Sequence, residues 1–134
     1  MSSPSKDTVD FLHENMNEPF ANRGATLFCD EWAVGRQAQT IILVSDAPPT
    51  DLKDLYEEVR IQILTRGKKN EAAYKVYDKI KAIRDFLLSQ PDDFQMNGSG
   101  YKGFEAVTNI VPLGRDNNER FVYSTNLSTF RKGL

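Results

Sequence analysis

The sequence predicts an α+β fold: a mostly antiparallel sheet of four to five strands, one long helix packed on one face, and a short N-terminal helix. Three observations carry this. Val59, Ile61 and Ile63 alternate with Glu58, Arg60 and Gln62, the period-two pattern of a half-buried strand, which Gly67 ends. Over residues 72–88 the period changes. Ala73, Val76, Tyr77, Ile80, Ile83 and Leu87 recur at three- and four-residue spacing, with Lys75, Lys79, Lys81 and Asp85 mostly between them. That is an amphipathic helix of about four and a half turns. Residues 120–130 form the longest run of strongly β-forming composition. Strand and helix each offer one apolar face, so the simplest packing lays the helix across the sheet.

The other elements follow in chain order. Residues 1–6 and 131–134 read as loose tails of a single domain spanning residues 1–134. Asp7 is a plausible cap for a short helix carrying Val9, Phe11, Leu12 and Met16, which stops before Pro19. It reads either as a lid on the core or as an arm toward a neighbour. Residues 22–24 form a turn and 25–32 a strand holding Cys29, an inert thiol, and Trp32, a core or rim aromatic. A turn at 35–39 leads to a continuously apolar strand over 40–44, covered on both faces by the fold or by a partner subunit. Residues 45–54, with Pro48 and Pro49 among acidic and small residues, read as a long exposed loop. After the long helix, Pro91 lies just past the helix stop. A strand is expected to begin at 94–96, a turn occupies 97–100, a strand spans 104–111, and a polar hairpin turn spans 114–119.

Composition narrows the function. The chain has 134 residues, 40% hydrophobic and 27% charged, enough for one core. A net charge of −2 argues against nucleic acid as the main partner, since phosphate binding wants a basic excess. No run approaches the ~18 apolar residues of a membrane helix, and the first residues lack a secretory signal. The single cysteine cannot form an internal disulfide. Together these point to a reducing cytoplasm.

No pattern of catalytic residues emerges, and no enzyme activity, cofactor or metal is expected. Residues 98–103 match GxGxxG, but a dinucleotide motif needs a strand before it and a helix opening within it, and here a strand follows. His13 is the only histidine, too few ligands for a metal. The adjacent acids Glu57-Glu58 and Asp92-Asp93 point apart and read as solvated charge. Lys68, Lys69, Lys75, Lys79, Lys81 and Lys102 form a solvated basic face or a contact for an acidic partner. The sheet face opposite the helix carries Arg60 and Gln62. Depending on register it also carries Tyr123 and Thr125, or Ser124 and Asn126. Such a face can meet water, line a ring or bind a neighbour.

The succession of segments resembles the tail terminator (tail-completion, minor capsid) proteins of long-tailed bacteriophages. The matching pieces are Val59-Arg60-Ile61-Gln62-Ile63-Leu64-Thr65-Arg66-Gly67, the helix opening Ala73-Tyr74-Lys75-Val76-Tyr77-Asp78-Lys79-Ile80, and the closing pair with Pro112-Leu113-Gly114-Arg115-Asp116 and Phe121-Val122-Tyr123-Ser124-Thr125-Asn126-Leu127. The resemblance covers roughly residues 24–130. It implies a structural virion protein whose subunits form a ring, expected to be a hexamer, without catalytic residues or cofactor. The ring would cap the finished tail tube, stop its polymerisation and join it to the head connector. The implied partners are other copies of the chain, the tail tube protein and the connector, with DNA only passing through the lumen. The implied location is the head-proximal end of the virion tail, after assembly in the host cytoplasm. Candidate contact residues are Arg60, Gln62, Arg66, Asp46, Asp51, Arg115, Arg120, Tyr123 and Asn126. The alternatives are a head–tail connector adaptor or stopper, and a small α+β ligand-binding domain.

Overall fold

The computed structural model describes residues 3–30, 41–47, 52–53 and 56–132. Trp32, the turn expected at 35–39, Pro48, Pro49 and Asp51 lie outside the described residues. Chain order is α1 (Pro4–Asn15), β1 (Leu27–Cys29), β2 (Ile41–Ala47), β3 (Leu52–Lys53), β4 (Tyr56–Arg66), α2 (Ala73–Leu88), β5 (Asp93–Met96), β6 (Ser99–Lys102), β7 (Glu105–Ala106), β8 (Val111–Arg115) and β9 (Phe121–Lys132).

This overturns the expected four- to five-stranded sheet. The described strands form one nine-stranded sheet in the order β1-β2-β4-β9-β6-β5, with β3 added to β4, and β7 and β8 to β9. It curls into a half-barrel, so the protein is mostly β, and the expected long helix and short N-terminal helix pack on a larger sheet than foreseen. Every strand pair is antiparallel except β1 with β2. The reason for the miscount is physical. The 12-residue β9 pairs with the whole of β4 on one side, and its other edge is served in turn by β8, β7 and β6. Strands of two to five residues carry too few side chains to show an alternation. The strand expected over 104–111 is accordingly split between β7 and β8. Residues 45–47, expected in a loop, extend β2.

β4 organises the sheet. Val59, Ile61, Ile63 and Thr65 are buried and face the helices, while Arg60, Gln62, Leu64 and Arg66 are half-buried on the other face. α2 answers with Val76, Ile80, Ile83 and Leu87, all fully buried. Each such side chain stabilises by roughly 1.5–3 kcal/mol. Gly67 permits the close approach of helix to strand: a Cβ there would lie 2.5 Å from Val76 Cγ2. The β5–β6 hairpin turns on Asn97 and Gly98, with φ of 52° and 79°, the two positive values a type I′ turn requires.

α1 begins earlier than its sequence indicates. Ser3 is the cap, its side chain accepting the Lys6 N–H at 3.2 Å, and Pro4 occupies the first turn, where no N–H is missed. The helix lies on the same sheet face as α2, with the Phe11 and Phe86 rings 5.9 Å apart. It touches β1, β2 and β4 as well as β5, and so bridges the two margins of the curled sheet. α1 is thus a built-in part of the core, and β9 continues as far as Lys132 with Arg131 buried.

Candidate assembly surface

Register settles which residues share the face turned away from the helices. Directly opposed residues on antiparallel strands lie on one face. Gln62 pairs with Ser45 on β2 and Asn126 on β9, Arg60 with Ser128, and Leu64 with Leu43 and Ser124. The result is a row of Ser45, Gln62 and Asn126 across three strands, flanked by Arg60, whose Nε lies 3.3 Å from Glu58 Oε1. Of the two registers left open by the sequence, that with Ser124 and Asn126 holds. Tyr123 falls on the helix face, its ring 5.8 Å from that of Tyr77.

Arg66, Arg115 and Arg120 converge at one end of the sheet. Arg66 Nε lies 3.4 Å from Asp116, whose other oxygen accepts the N–H groups of Asn118 and Arg120. Arg120 is buried and its Nε donates to the carbonyl of Gly67, while the Gly67 N–H donates to Phe121 O at 2.9 Å. Burial and the field of Arg66 lower the Arg120 pKa. A guanidinium still keeps its charge under such pressure. Arg66 and Arg120 therefore tie the β8–β9 turn to the start of α2. Buried Glu71 completes the tie, accepting from Lys68 N–H at 3.1 Å and from Lys79 Nζ at 2.6 Å. Arg115 is exposed, with its guanidinium 4.7 Å above the Phe121 ring. Asp46 accepts the Ser5 N–H at 3.0 Å. These candidate residues thus fall into three places: the polar row, the Gly67 junction, and the β1–β2 margin.

A fourth cluster, not foreseen from residue spacing, lies beneath α1. Asp7 is fully buried and accepts from the Tyr101 hydroxyl and from Asn97 Nδ2 at 3.0 Å, with Arg131 Nη1 at 3.9 Å. Arg131 also pairs with Glu57 at 2.6 Å. Burial and the hydrogen bond to Asp7 push the Tyr101 hydroxyl well above its ordinary pKa, so it stays a donor. Burial alone would raise the Asp10 pKa, but hydrogen bonds from Lys6, Asn97 and Arg23 outweigh it and hold it at about 2. Aspartates spaced along a short helix look like solvated charge until their distant partners are known. Asn97 and Tyr101 are 90 and 94 positions from Asp7 in sequence.

Chemically the described surface is sparse. A cavity of about 570 Å³ after α1 is lined by His13, Glu14, Met16, Pro19 and neighbours, and His13 Nδ1 accepts the Arg23 N–H. Among the described residues no group of three His, Cys, Asp or Glu side chains could hold a metal ion. The Cys29 thiol is raised in pKa by burial and by Asp30, the opposite of activation. No described helix is long and apolar enough to cross a membrane. A family model described as bacteriophage tail terminator protein matches residues 36–129, more than half of the chain. The chain belongs to the bacteriophage tail terminator family. No curated protein matches it. The matched span of this terminator runs from ahead of β2 into β9, so it takes in the β4–α2 unit and leaves out α1 and β1. Membership gives the protein a structural role in the phage tail.

Proposed function

We propose that the terminator assembles as a ring, most simply a hexamer, that caps the tail tube, stops its polymerisation and presents a surface to the head connector. The family match carries this reading. The architecture supports it: a stiff sheet with opposed edges suits head-to-tail contacts that close by rotation. A cap must also dock on one side only, which a subunit with two unlike ends supplies. Asp46 and Arg115, at opposite margins of the sheet, are the proposed subunit contacts. The row of Ser45, Gln62 and Asn126 with Arg60 lines the lumen through which DNA passes. Arg66, Arg120 and Tyr123 hold these surfaces in place from within. The terminator acts in the virion at the head-proximal end of the tail, without catalysis.

The test adds purified terminator to polymerising tail tube protein and measures tube lengths by negative-stain electron microscopy. The expected result is arrest of elongation, with a ring on one end of each tube. Tubes that lengthen as fast with the terminator as without it would overturn the proposal.

A further inference from the structure

Exposed apolar side chains of the described residues gather around β8 and the start of α2. The exposed large hydrophobic side chains among the described residues are Tyr74 and Tyr77 on α2, Val111 and Leu113 on β8, and Val107 just after β7. Tyr74 is 65% exposed and Leu113 54%. The two groups adjoin, because Tyr77 packs on Tyr123 and Tyr123 is paired with Pro112 of β8. All five residues of β8 are exposed, and β8 pairs with β9 alone. Exposed aromatic and aliphatic side chains gathered beside an edge strand mark a contact site. The edge is unsuited to open-ended strand addition. Pro112 removes a backbone donor, and the register shifts between Pro112 and Gly114. Contact there must be made by side chains.

Charge identifies the occupant. The exposed patch ends at Arg115, and the adjoining turn, joined to it by the Asn70 N–H to Glu119 carbonyl bond, exposes Lys68 and Lys69. At the other margin of the sheet, exposed Asp30 and Asp46 both meet the Ser5 hydroxyl at 3.1–3.2 Å, so two carboxylates are held together. Neither is in an ion pair among the described residues. Burial and the field of Asp30 raise the Asp46 pKa. A cation from outside would relieve that repulsion. β1 opens the strand order and β8 lies beyond β9, so the acidic edge and the basic apolar edge belong to opposite margins of the sheet.

We infer that the β8 edge, with Tyr74, Tyr77 and Leu113, docks against the β1–β2 margin of a second copy of this chain, Arg115 facing Asp30 and Asp46. This rests on the ring reading and names its two mating surfaces. Such a contact is heterologous, and each copy keeps one of each surface for the next.

The experiment compares wild type with Leu113→Glu and, separately, Tyr74→Glu, so that the test survives if one variant fails to fold. Mass is read by light scattering, alone and with tail tubes. Circular dichroism melting reports folding, and hydrogen exchange maps protection. Because both side chains are mostly in solvent, melting should match wild type. Assembly should weaken at least about tenfold, leaving 15.2 kDa monomers where wild type associates. Wild-type assembly should protect the amides of residues 107–115. Wild type that assembles while both folded variants assemble equally well, with unchanged exchange at 107–115, would overturn this inference and leave the ring standing. Wild type that stays monomeric alone and on tubes would overturn both.

Discussion

Gly67→Ala separates two reasons a chain can require glycine. Gly67 is not among the residues with positive φ, so alanine can adopt its backbone. The obstacle is the approach of α2: the new methyl would lie 2.5 Å from Val76 Cγ2 and 3.2 Å from Glu71 Oε1. Val76 is fully buried and β-branched, so it cannot rotate away cheaply. Glu71 is held by Lys68 and Lys79. Relief must come from moving the first turn of α2, which strains the hydrogen bonds around Arg120. Overpacking of this kind costs about 1–3 kcal/mol. A 2 kcal/mol loss in a domain of this size lowers Tm by roughly 6–10 °C. The assay is urea unfolding of Gly67→Ala, Val76→Ala and the double variant, compared at constant m-value. Val76→Ala alone costs about 1.5–3 kcal/mol in lost burial. In the double variant the alanine methyl at 67 enters the space the valine leaves, so the costs should fall short of additivity by at least about 1 kcal/mol. A loss below about 0.5 kcal/mol for Gly67→Ala, or strict additivity, would refute the close-approach argument.

Two further predictions concern the cluster beneath α1. Asp7→Ala leaves the Tyr101 hydroxyl without its acceptor and takes a carboxylate from beside Arg131, and should destabilise by about 3–5 kcal/mol, read by the urea midpoint. A loss under 1 kcal/mol would show that α1 contributes little to the fold. Asp10, held at about 2, is below its ordinary value, so the folded state favours its ionised form. Its contribution is present above about pH 4 and lost as pH falls toward 2. Lys6 and Arg23 are half-exposed, so screening reduces that contribution to about 1–2 kcal/mol. Asp10→Asn should cost that much at pH 6 and well under about 1 kcal/mol near pH 2. A gap that persists across the range would deny the linkage.

The residue pattern was enough to locate the central strand and the long helix, because both are long and keep one face buried throughout. β4 and α2 repeat their periods through Val59, Ile61 and Ile63 and through Val76, Ile80, Ile83 and Leu87. Local spacing also showed the turn at Asn97-Gly98, where both residues tolerate positive φ. The family likeness was legible for the same reason: it rests on the order of these periodic segments. Tyr77, placed by spacing on the apolar face, is exposed instead, because the buried stripe of α2 is narrower than its run of apolar residues.

The tertiary structure alone decided the rest. The short strands β6, β7 and β8 lie along the free edge that β9 offers them, and no local propensity encodes such pairing. Register alone assigned Asn126 rather than Tyr123 to the polar face, since one residue of slip would exchange them. Asp7 and Arg131 became core residues through partners far along the chain. Arg66 and Arg120 found Asp116 and the Gly67 carbonyl within their own subunit. Sequence periodicity reports which side of an element is apolar. It carries no information about what a polar side chain meets across the fold, because those contacts join residues whose spacing in the chain is arbitrary.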